Sequence, residues 1–416
     1  MMEIEKYQIS LQDAITVSYL NCHARIPPIL LGDPGIGKSW ILQYNLAPML
    51  ARDLGRKLVF WEDLSIEERR SILDDPAEYF VVFDIRLSMY SFDEVKGVVY
   101  PRKLNNEDVM GILTPSYVRL ALKRDSAGLV IYDEITSAPP STQVTVFRYL
   151  YKREHEEGRF SDEFFFVGAG NLGTSRTVFY NLVAPLVNRI ALYYIRSPTA
   201  DEWIENFAYK WQGNPEPLDL QIKVRNIPKS IHPLVIGYLS NPANKTKIFL
   251  FNPEQWDMTP YPSPRSWHNT SKILHVYESA GFSFTNDEDL DILEMTLRGI
   301  LGFNIATEFV GWVKLHKQLP DIPSVLRNPS SFSIPDRTDI IYLFMAGMTA
   351  YWSRDLSEKD RVNLLKNLLE IVLNMPSPEY SIAFLKMLNT SDPKFIDRYV
   401  SLRSSLPDWI KKKMGS

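Results

Sequence analysis

One eight-residue stretch limits the possible folds more than any other part of the chain. It runs Gly32-Asp33-Pro34-Gly35-Ile36-Gly37-Lys38-Ser39 and fits the phosphate-loop pattern G-x-x-x-x-G-K-[ST]. The apolar residues 28–31 before it predict a buried strand, and residues 40–51 predict the helix that the pattern requires next. The order of strand, loop and helix therefore predicts an α/β fold that binds a nucleoside triphosphate.

The residue types of this loop indicate its chemistry. Gly35 and Gly37 can adopt backbone angles closed to other residues, so the loop amides can converge on phosphate oxygens at the positive end of the helix. We expect Lys38 to reach the β- and γ-phosphates and the Ser39 hydroxyl to hold Mg²⁺. The predicted nucleotide contacts in this segment are Gly32, Asp33, Pro34, Gly35, Ile36, Gly37, Lys38, Ser39 and Trp40.

Composition narrows the class of protein. The chain has 416 residues, enough for two or three domains, and a net charge of −4 gives no sign of nucleic-acid binding. The single cysteine, Cys22, excludes an internal disulfide and fits a reducing cytoplasm. The polar start predicts no signal peptide, and the longest apolar stretch, 340–352, is shorter than a membrane span.

Hydrophobic periodicity predicts strands alternating with helices in the first half of the chain and helices alone after it. The predicted strands are 28–31, 57–61, 79–86, 128–134, 164–171 and 190–195. The predicted helices are 11–25, 40–51, 65–73, 115–124, 141–153, 176–188, 199–211, 228–241, one that begins at 264, 287–303, 304–318, 336–352, 358–374, 377–388 and 391–403. Pro48 is expected to kink or end the helix at 40–51.

The segment 87–114 fits neither pattern. It carries Gly97 and Gly111 and shows little periodicity. Compact domains rarely keep so long a connection unless it has a function. We therefore expect a functional insert between the strands at 79–86 and 128–134.

Polar side chains end two of the predicted strands. Asp133 and Glu134 follow a continuous apolar run. At the end of a strand their side chains can point in different directions and so have two separate roles. We expect Asp133 to hold Mg²⁺ and Glu134 to polarise the water that attacks the γ-phosphate. Asn171 ends the strand 164–171, where an amide can orient that water and sense the γ-phosphate, although asparagine is also common at the start of a loop.

This set of residues resembles the AAA+ ATPases, and specifically their MoxR branch. The matching motifs are 32–39 as Walker A, Asp133 and Glu134 as Walker B and Asn171 as sensor 1. The stretch 88–97 is similar to the start of an insert that lines the pore of the ring in that branch. The resemblance covers roughly the first two thirds of the chain and implies that ATP is the nucleotide.

The resemblance also implies roles for arginines. Arg189 follows Asn188 where MoxR relatives have Asp-Arg, so it resembles the finger that reaches the nucleotide of the neighbouring subunit. Arg265, within 262–267, resembles a sensor 2 residue that touches the γ-phosphate in its own subunit. The chain lacks the usual proline just after Asn171, which leaves Arg176 as an alternative to Arg189 for the finger. The connection 153–162 is shorter than in the family, so a long hairpin before sensor 1 is not expected.

These observations predict a three-layer α/β/α phosphate-loop core with a parallel sheet, followed by a helical lid and a helical C-terminal region. The predicted domains are 1–198, with the insert at 87–114, then 199–284 for the lid and 285–416 for the rest. The resemblance implies an ATP-hydrolysing chaperone, active as a homo-oligomer and most often a hexameric ring. It further implies a protein partner with a von Willebrand factor A domain, and a role in metal or cofactor insertion. A nucleic-acid motor or loader, and a nucleotide-gated scaffold with little hydrolysis, are the alternatives.

Overall fold

The computed structural model describes residues 7–397 apart from 106, 174–178, 206–227, 229, 255, 332, 393 and 396. A seven-stranded sheet with parallel pairing throughout lies at its centre, in the order β1-β11-β2-β10-β7-β4-β3. The strands are β1 (Gln8–Ile9), β2 (Pro28–Gly32), β3 (Lys57–Phe60), β4 (Tyr79–Arg86), β5 (Val98–Leu104), β6 (Glu107–Leu113), β7 (Ala127–Asp133), β8 (Glu154–His155), β9 (Gly158–Arg159), β10 (Phe164–Asn171) and β11 (Ala191–Ile195). Strands β5 with β6, and β8 with β9, form separate antiparallel hairpins.

Helices alternate with the strands and then continue alone. They are α1 (Leu11–His23), α2 (Lys38–Ile41), α3 (Ala47–Leu54), α4 (Ile66–Asp74), α5 (Phe92–Lys96), α6 (Ser116–Ala121), α7 (Pro140–Lys152), α8 (Ala184–Val187), α9 (Ala200–Trp203), α10 (Pro233–Ser240), α11 (Pro264–Ser279), α12 (Asp287–Leu301), α13 (Phe303–Val313), α14 (Ile322–Arg327), α15 (Thr338–Ala350), α16 (Glu358–Leu373) and α17 (Pro378–Ser391). In the part of the chain that the structure describes, no helix is both long and apolar enough to cross a membrane.

The sheet is covered on both faces. All five residues of β2 are buried. Leu30 packs into an apolar cluster with residues of α1, α3 and α12, whereas Ile29 and Leu31 pack into a second cluster with residues of α6, α7 and α8. Burial on two faces explains the continuous apolar runs that marked the strands in the sequence. The predicted fold class, a three-layer α/β/α core with a parallel sheet followed by helices, is confirmed.

The helical part is fastened to the sheet through β11. The side-chain amide of Asn21 in α1 donates a hydrogen bond to the Tyr193 hydroxyl over 2.6 Å, and that hydroxyl donates to the Thr296 carbonyl of α12 over 2.8 Å. A Cβ at Gly299 would lie 2.5 Å from the Tyr193 ring, so glycine permits the close approach of α12. One buried apolar cluster contains residues of α1, α11, α12 and α15. The domain limits at 198 and 284 stay predictions.

The insert is a hairpin rather than an irregular loop. After a short helix, α5, strands β5 and β6 pair over their whole length, with Val98 opposite Leu113. Gly97 precedes β5 at φ 102°, a backbone angle that favours glycine. Because side chains of this hairpin are apolar on exposed positions, the alternation that identifies a half-buried strand is missing from the sequence. We call β5 and β6 the hairpin insert.

Two predicted helices differ in detail, and one helix was not predicted. The helix expected at 176–188 begins only at Ala184 in the described residues, because Pro185 fits the first turn of a helix but not its interior. The helix expected at 40–51 starts at Lys38 and contains a π-helical turn, Leu42–Leu46, just before Pro48. Pro48 has no N–H to donate, and the wider turn accommodates it. A short helix, α14, was not expected.

Candidate nucleotide site at the sheet edge

Apart from the two arginines, the predicted catalytic and metal-binding residues lie at the carboxyl ends of β2, β7 and β10, the edge at which open α/β sheets bind ligands. Strand β10 lies between β2 and β7, so the loop, the acids and Asn171 meet at one place. We call this place, with Lys38, Ser39, Asp133, Glu134 and Asn171, the sheet edge.

The loop has the backbone that its sequence predicts. Gly35 and Gly37 have φ values of 79° and 102°, both in the left-handed region that favours glycine. Gly32 ends β2 so close to the next strand that an added Cβ would lie 2.7 Å from the Ile195 carbonyl oxygen. Gly37 immediately precedes α2 and makes no side-chain cap, so the first amides of this helix follow the loop directly, as phosphate binding requires.

Lys38 is buried beneath the loop. Its ammonium donates to the carbonyl oxygens of Gly32 and Asp33 over 3.0 and 2.6 Å and to Oδ1 of Asn171 over 3.3 Å. Burial lowers the pKa of Lys38 to about 8, and the negative charges of Asp133 and Asp33 oppose that shift. The cation is therefore desolvated and held close to the position where phosphates meet the loop.

Ser39 and Asp133 form a pair of oxygen ligands that fits Mg²⁺. The Ser39 hydroxyl donates to Oδ2 of Asp133 over 2.7 Å, although the two residues are 94 positions apart in the chain. Hydroxyl and carboxylate oxygens are the ligands that Mg²⁺ prefers, and magnesium sites beside phosphates use one or two such protein ligands. The residues present thus fit the metal that the sequence predicts.

Glu134 separates from Asp133 because the chain turns between them. Glu134 has φ 55°, an uncommon angle for a residue other than glycine, and its N–H donates to Oδ1 of Asp133 over 2.7 Å. Its carboxylate accepts a hydrogen bond from the Ser88 hydroxyl, which comes from the segment between β4 and α5. Sequence reasoning missed Ser88 as a partner of Glu134, since nothing in the spacing of these residues reveals the contact.

Thr136 fixes the position of Asn171. Its buried hydroxyl accepts from the Asn171 N–H over 3.1 Å and donates to the Asn171 carbonyl over 3.0 Å. A Cβ at Gly170 would lie 2.9 Å from the same hydroxyl oxygen, so glycine leaves room for this bridge. The loop after β7 therefore holds the end of β10, and Thr136 is a second functional candidate that the sequence alone did not reveal.

A further acid, Asp84, lies beside Asp133. Asp84 in β4 accepts a hydrogen bond from the Gln43 side-chain amide over 2.8 Å. Burial raises the pKa of Asp84 to about 6, and the neighbouring carboxylate of Asp133 adds to the shift. Its other oxygen, Oδ1, is buried and has no hydrogen-bond partner among the described residues. The apolar run 79–86 marked this strand in the sequence, and the single acid inside it was the signal that could have been used.

The two predicted arginines lie together but not at the sheet edge. The Arg189 guanidinium donates to the Pro185 carbonyl over 2.6 Å and lies 4.7 Å from the Tyr151 ring. Arg265 is exposed in the first turn of α11 and makes no hydrogen bond or ion pair with the described residues. Both are close enough to Tyr261 to lower its pKa against the larger raising effect of burial. Arg176 lies outside the described residues.

Asn188 connects this arginine pair to the core. Its side-chain oxygen accepts from the Ser263 hydroxyl over 2.9 Å, and Ser263 caps α11. Neither Arg189 nor Arg265 contacts Lys38 or the acids within the described part of the same chain, so their predicted roles stay predictions. Trp40 lies beside the loop, with its ring 5.4 Å from that of Tyr44.

A histidine cluster in the helical part has the composition of a metal site. Nε2 of His232 lies 3.2 Å from Oε2 of Glu278, and Nε2 of His275 lies 3.0 Å from the Ser230 carbonyl oxygen. However, Nδ1 of His232 accepts from the Leu234 N–H over 3.1 Å. A neutral imidazole that accepts at Nδ1 carries its proton on Nε2, so that nitrogen is not available to a metal. We interpret the group as a hydrogen-bonded cap of α10.

Comparison with known proteins gives only distant structural likenesses. No family model matches the chain, and no curated protein matches its sequence. A candidate ATPase from Cytophaga hutchinsonii is 12% identical at a TM-score of 0.37, over 76% of this chain and 83% of that one. PCH-2 of C. elegans is 13% identical at 0.23, over 74% and 68%, and NtrX from Brucella abortus is 12% identical at 0.25, over 96% and 69%. Likenesses at these TM-scores are too weak to support an assignment, so the function has to be argued from the site.

Proposed function

We propose that this chain is an ATP-hydrolysing enzyme of the AAA+ type. One observation carries the proposal, the convergence of Lys38, Ser39, Asp133, Glu134 and Asn171 at the carboxyl ends of three neighbouring parallel strands. A cation, a metal-binding pair, a base and an amide are the parts that phosphoryl transfer to water needs.

Each residue has a distinct role in this proposal. Lys38 binds the β- and γ-phosphates with its desolvated ammonium, whose attraction to phosphate is strong in a buried site. Ser39 and Asp133 would hold Mg²⁺, which would supply positive charge beside the phosphate oxygens. Glu134 accepts a proton from the attacking water after its carboxylate leaves the Ser88 hydroxyl. Asn171 orients that water, since Thr136 fixes its backbone.

The arginines support an active assembly rather than an active monomer. Developing charge on the γ-phosphate is commonly stabilised by an arginine. Arg86 lies opposite Asp133 in the sheet, but among the described residues no arginine of the same chain donates a hydrogen bond to a side chain of the sheet edge. We propose that Arg189, with Arg176 as the alternative, reaches the nucleotide of a neighbouring subunit, and that Arg265 acts as sensor 2 in its own subunit. A homo-oligomer, in the form of a hexameric ring, follows from the resemblance to the MoxR branch.

We propose that the enzyme uses ATP hydrolysis to remodel a protein partner. Val98, Val99, Met110 and Leu113 of the hairpin insert are exposed, and an exposed apolar surface suits contact with protein. By its resemblance to MoxR relatives, the chain acts as a chaperone on a partner with a von Willebrand factor A domain, in metal or cofactor insertion. The net charge of −4 argues against the alternative of a nucleic-acid motor.

Steady-state hydrolysis by the wild type and by Glu134→Gln tests the proposal. We expect the variant to lose roughly 10²–10⁴-fold in turnover, since it lacks the base, and to keep its affinity for ATP. Lys38→Ala is the matched control, which should lose ATP binding as well. Equal rates for the wild type and Glu134→Gln contradict the role of Glu134, and a wild type that binds ATP without hydrolysing it favours the nucleotide-gated scaffold.

A second assay separates the partner hypotheses. Glu134→Gln with bound ATP should retain a protein partner in a pull-down, whereas Lys38→Ala should not. Capture of nucleic acid instead, lost as the salt concentration rises, favours the nucleic-acid motor.

A further inference from the structure

Two similar hydrogen bonds join the helical segment after the phosphate loop, α2 with its π-helical turn, to the sheet. Ser39 in α2 contacts Asp133 over 2.7 Å, and Gln43, four residues further on, contacts Asp84 over 2.8 Å. The proposed metal pair therefore has a neighbour of the same design, one strand away. Gln43 lies in the π-helical turn, a feature that is frequent at functional sites.

The strand register places the two acids side by side. Asp84 in β4 lies opposite Ile131 in β7, and Asp133 is two residues beyond Ile131. Side chains two residues apart on a strand project from the same face, so Asp84 and Asp133 project from one face of neighbouring strands. This is the face that α2 and the π-helical turn cover, as the contacts of Ser39 with Asp133 and of Gln43 with Asp84 demonstrate.

Asp84 is incompletely paired in this position. Gln43 satisfies Oδ2, whereas Oδ1 is buried with no hydrogen-bond partner among the described residues. Buried carboxylate oxygens are nearly always paired with a donor, a metal or an ordered water. Neighbouring carboxylates attract cations. Arg86, opposite Asp133 in the sheet, is one such cation and acts electrostatically on Asp84, but no described group donates a hydrogen bond to Asp84 Oδ1.

We propose that Asp84 belongs to the metal site, and that its Oδ1 accepts a hydrogen bond from a water molecule bound to the Mg²⁺ that Ser39 and Asp133 hold. Mg²⁺ dehydrates reluctantly and usually keeps several waters, which need acceptors of this kind. The inference rests on the proposed nucleotide function and names a further residue of that site. Asp84 is a positioning residue, because it acts on the metal through water and not on the reacting phosphate.

Two variants separate the charge of Asp84 from its contact with Gln43. Asp84→Asn removes the charge, while its amide oxygen can still accept from Gln43. Gln43→Met removes the contact, while the charge of Asp84 stays. Asp84→Ser, which is smaller than aspartate, replaces Asp84→Asn if that variant unfolds at a lower temperature than the wild type.

The measurement is binding of a fluorescent, non-hydrolysable ATP analogue as Mg²⁺ is titrated, with a second titration in EDTA. We expect Asp84→Asn to raise the half-saturating Mg²⁺ concentration roughly tenfold, as loss of an outer-shell partner does, and to leave affinity in EDTA unchanged. Gln43→Met should lower Tm and keep the wild-type Mg²⁺ midpoint.

The outcomes separate this proposal from the proposed function. An Mg²⁺ midpoint for Asp84→Asn within twofold of the wild type overturns the role of Asp84 alone. A shift of the midpoint in Gln43→Met as large as that in Asp84→Asn also overturns it, because the contact and not the charge is then responsible. If the wild type binds no analogue at any Mg²⁺ concentration, the proposed function fails, and the role of Asp84 fails with it.

Discussion

The sheet edge and the hairpin insert are neighbours in the fold and are built in opposite ways. At the sheet edge, polar side chains are held by other protein groups, such as Ser39 by Asp133 and Asn171 by Lys38. In the hairpin insert, apolar side chains face solvent, and Met110 is 80% exposed. The sheet edge is thus organised before any ligand binds, whereas the insert presents apolar side chains to solvent.

The two regions are connected near α5. The Tyr117 hydroxyl donates to the Val95 carbonyl over 3.0 Å, which fastens α5 to the core. A few residues earlier, the Ser88 hydroxyl donates to the Glu134 carboxylate. A displacement of the insert can therefore be transmitted through Ser88 to Glu134, the proposed base. The comparison predicts large chemical effects for changes beside the sheet edge, intermediate effects for changes at the connection and none for changes at exposed positions of the insert.

Among changes that leave the five residues of the sheet edge intact, the largest effect is expected at Thr136. Thr136→Val keeps the shape of the side chain and removes the hydroxyl that contacts the Asn171 backbone on both sides. We expect kcat to fall roughly tenfold, since an unpaired buried polar group costs about 1–3 kcal/mol and displaces the end of β10. The measurement is steady-state hydrolysis beside ATP affinity, which should change little. Thr136→Ser, which keeps the hydroxyl, should restore kcat, and its failure to do so contradicts this role.

An intermediate effect is expected at Ser88. Ser88→Ala releases the Glu134 carboxylate from a hydrogen bond that competes with the attacking water. Because a hydrogen bond of this kind contributes about 1 kcal/mol net, we expect hydrolysis without a partner to rise roughly two- to tenfold. Ser91→Ala, which removes only the cap of α5, is the control. A rate at or below that of the wild type contradicts the competition between Ser88 and water.

The smallest effect on the chemistry is expected at the insert. Val99 and Met110 are 50% and 80% exposed, and exposed substitutions usually change stability by less than about 0.5 kcal/mol. The double variant Val99→Ser and Met110→Ser should keep wild-type hydrolysis and Tm, and it should lose partner capture by the Glu134→Gln form. Val144→Ser, at an equally exposed site on α7, should keep capture. Retained capture by the insert variant removes the insert from the partner interface.

The sequence signals for the residues of the sheet edge are local. The loop pattern at 32–39 and the apolar runs that end at Asp133 and Asn171 contain their own context, and the structure brings these residues together. Asp84, Ser88 and Thr136 were not predicted. Their roles depend on strand register and on side chains from distant positions. Ser88 and Glu134, for example, are 46 positions apart, and no periodicity encodes such contacts.

The hairpin insert was predicted to be functional but not to be a hairpin. Strand prediction relies on alternation between buried and exposed positions, and Val98 and Val99 are both exposed, although they are neighbours that project from opposite faces. The arginines show a different limit. Arg189 and Arg265 were identified by motif, and one chain alone does not bring them to the sheet edge within the described residues.

A structure determined with Mg²⁺ and a non-hydrolysable ATP analogue tests the central claim most directly. We predict the γ-phosphate within hydrogen-bond distance of Lys38 Nζ, Mg²⁺ on the Ser39 hydroxyl beside Asp133, and the Glu134 carboxylate turned toward the water that faces the γ-phosphate. An analogue bound elsewhere, or bound at the loop with no contact to Lys38 and no metal at Ser39, contradicts the assignment of the sheet edge as the site of ATP hydrolysis.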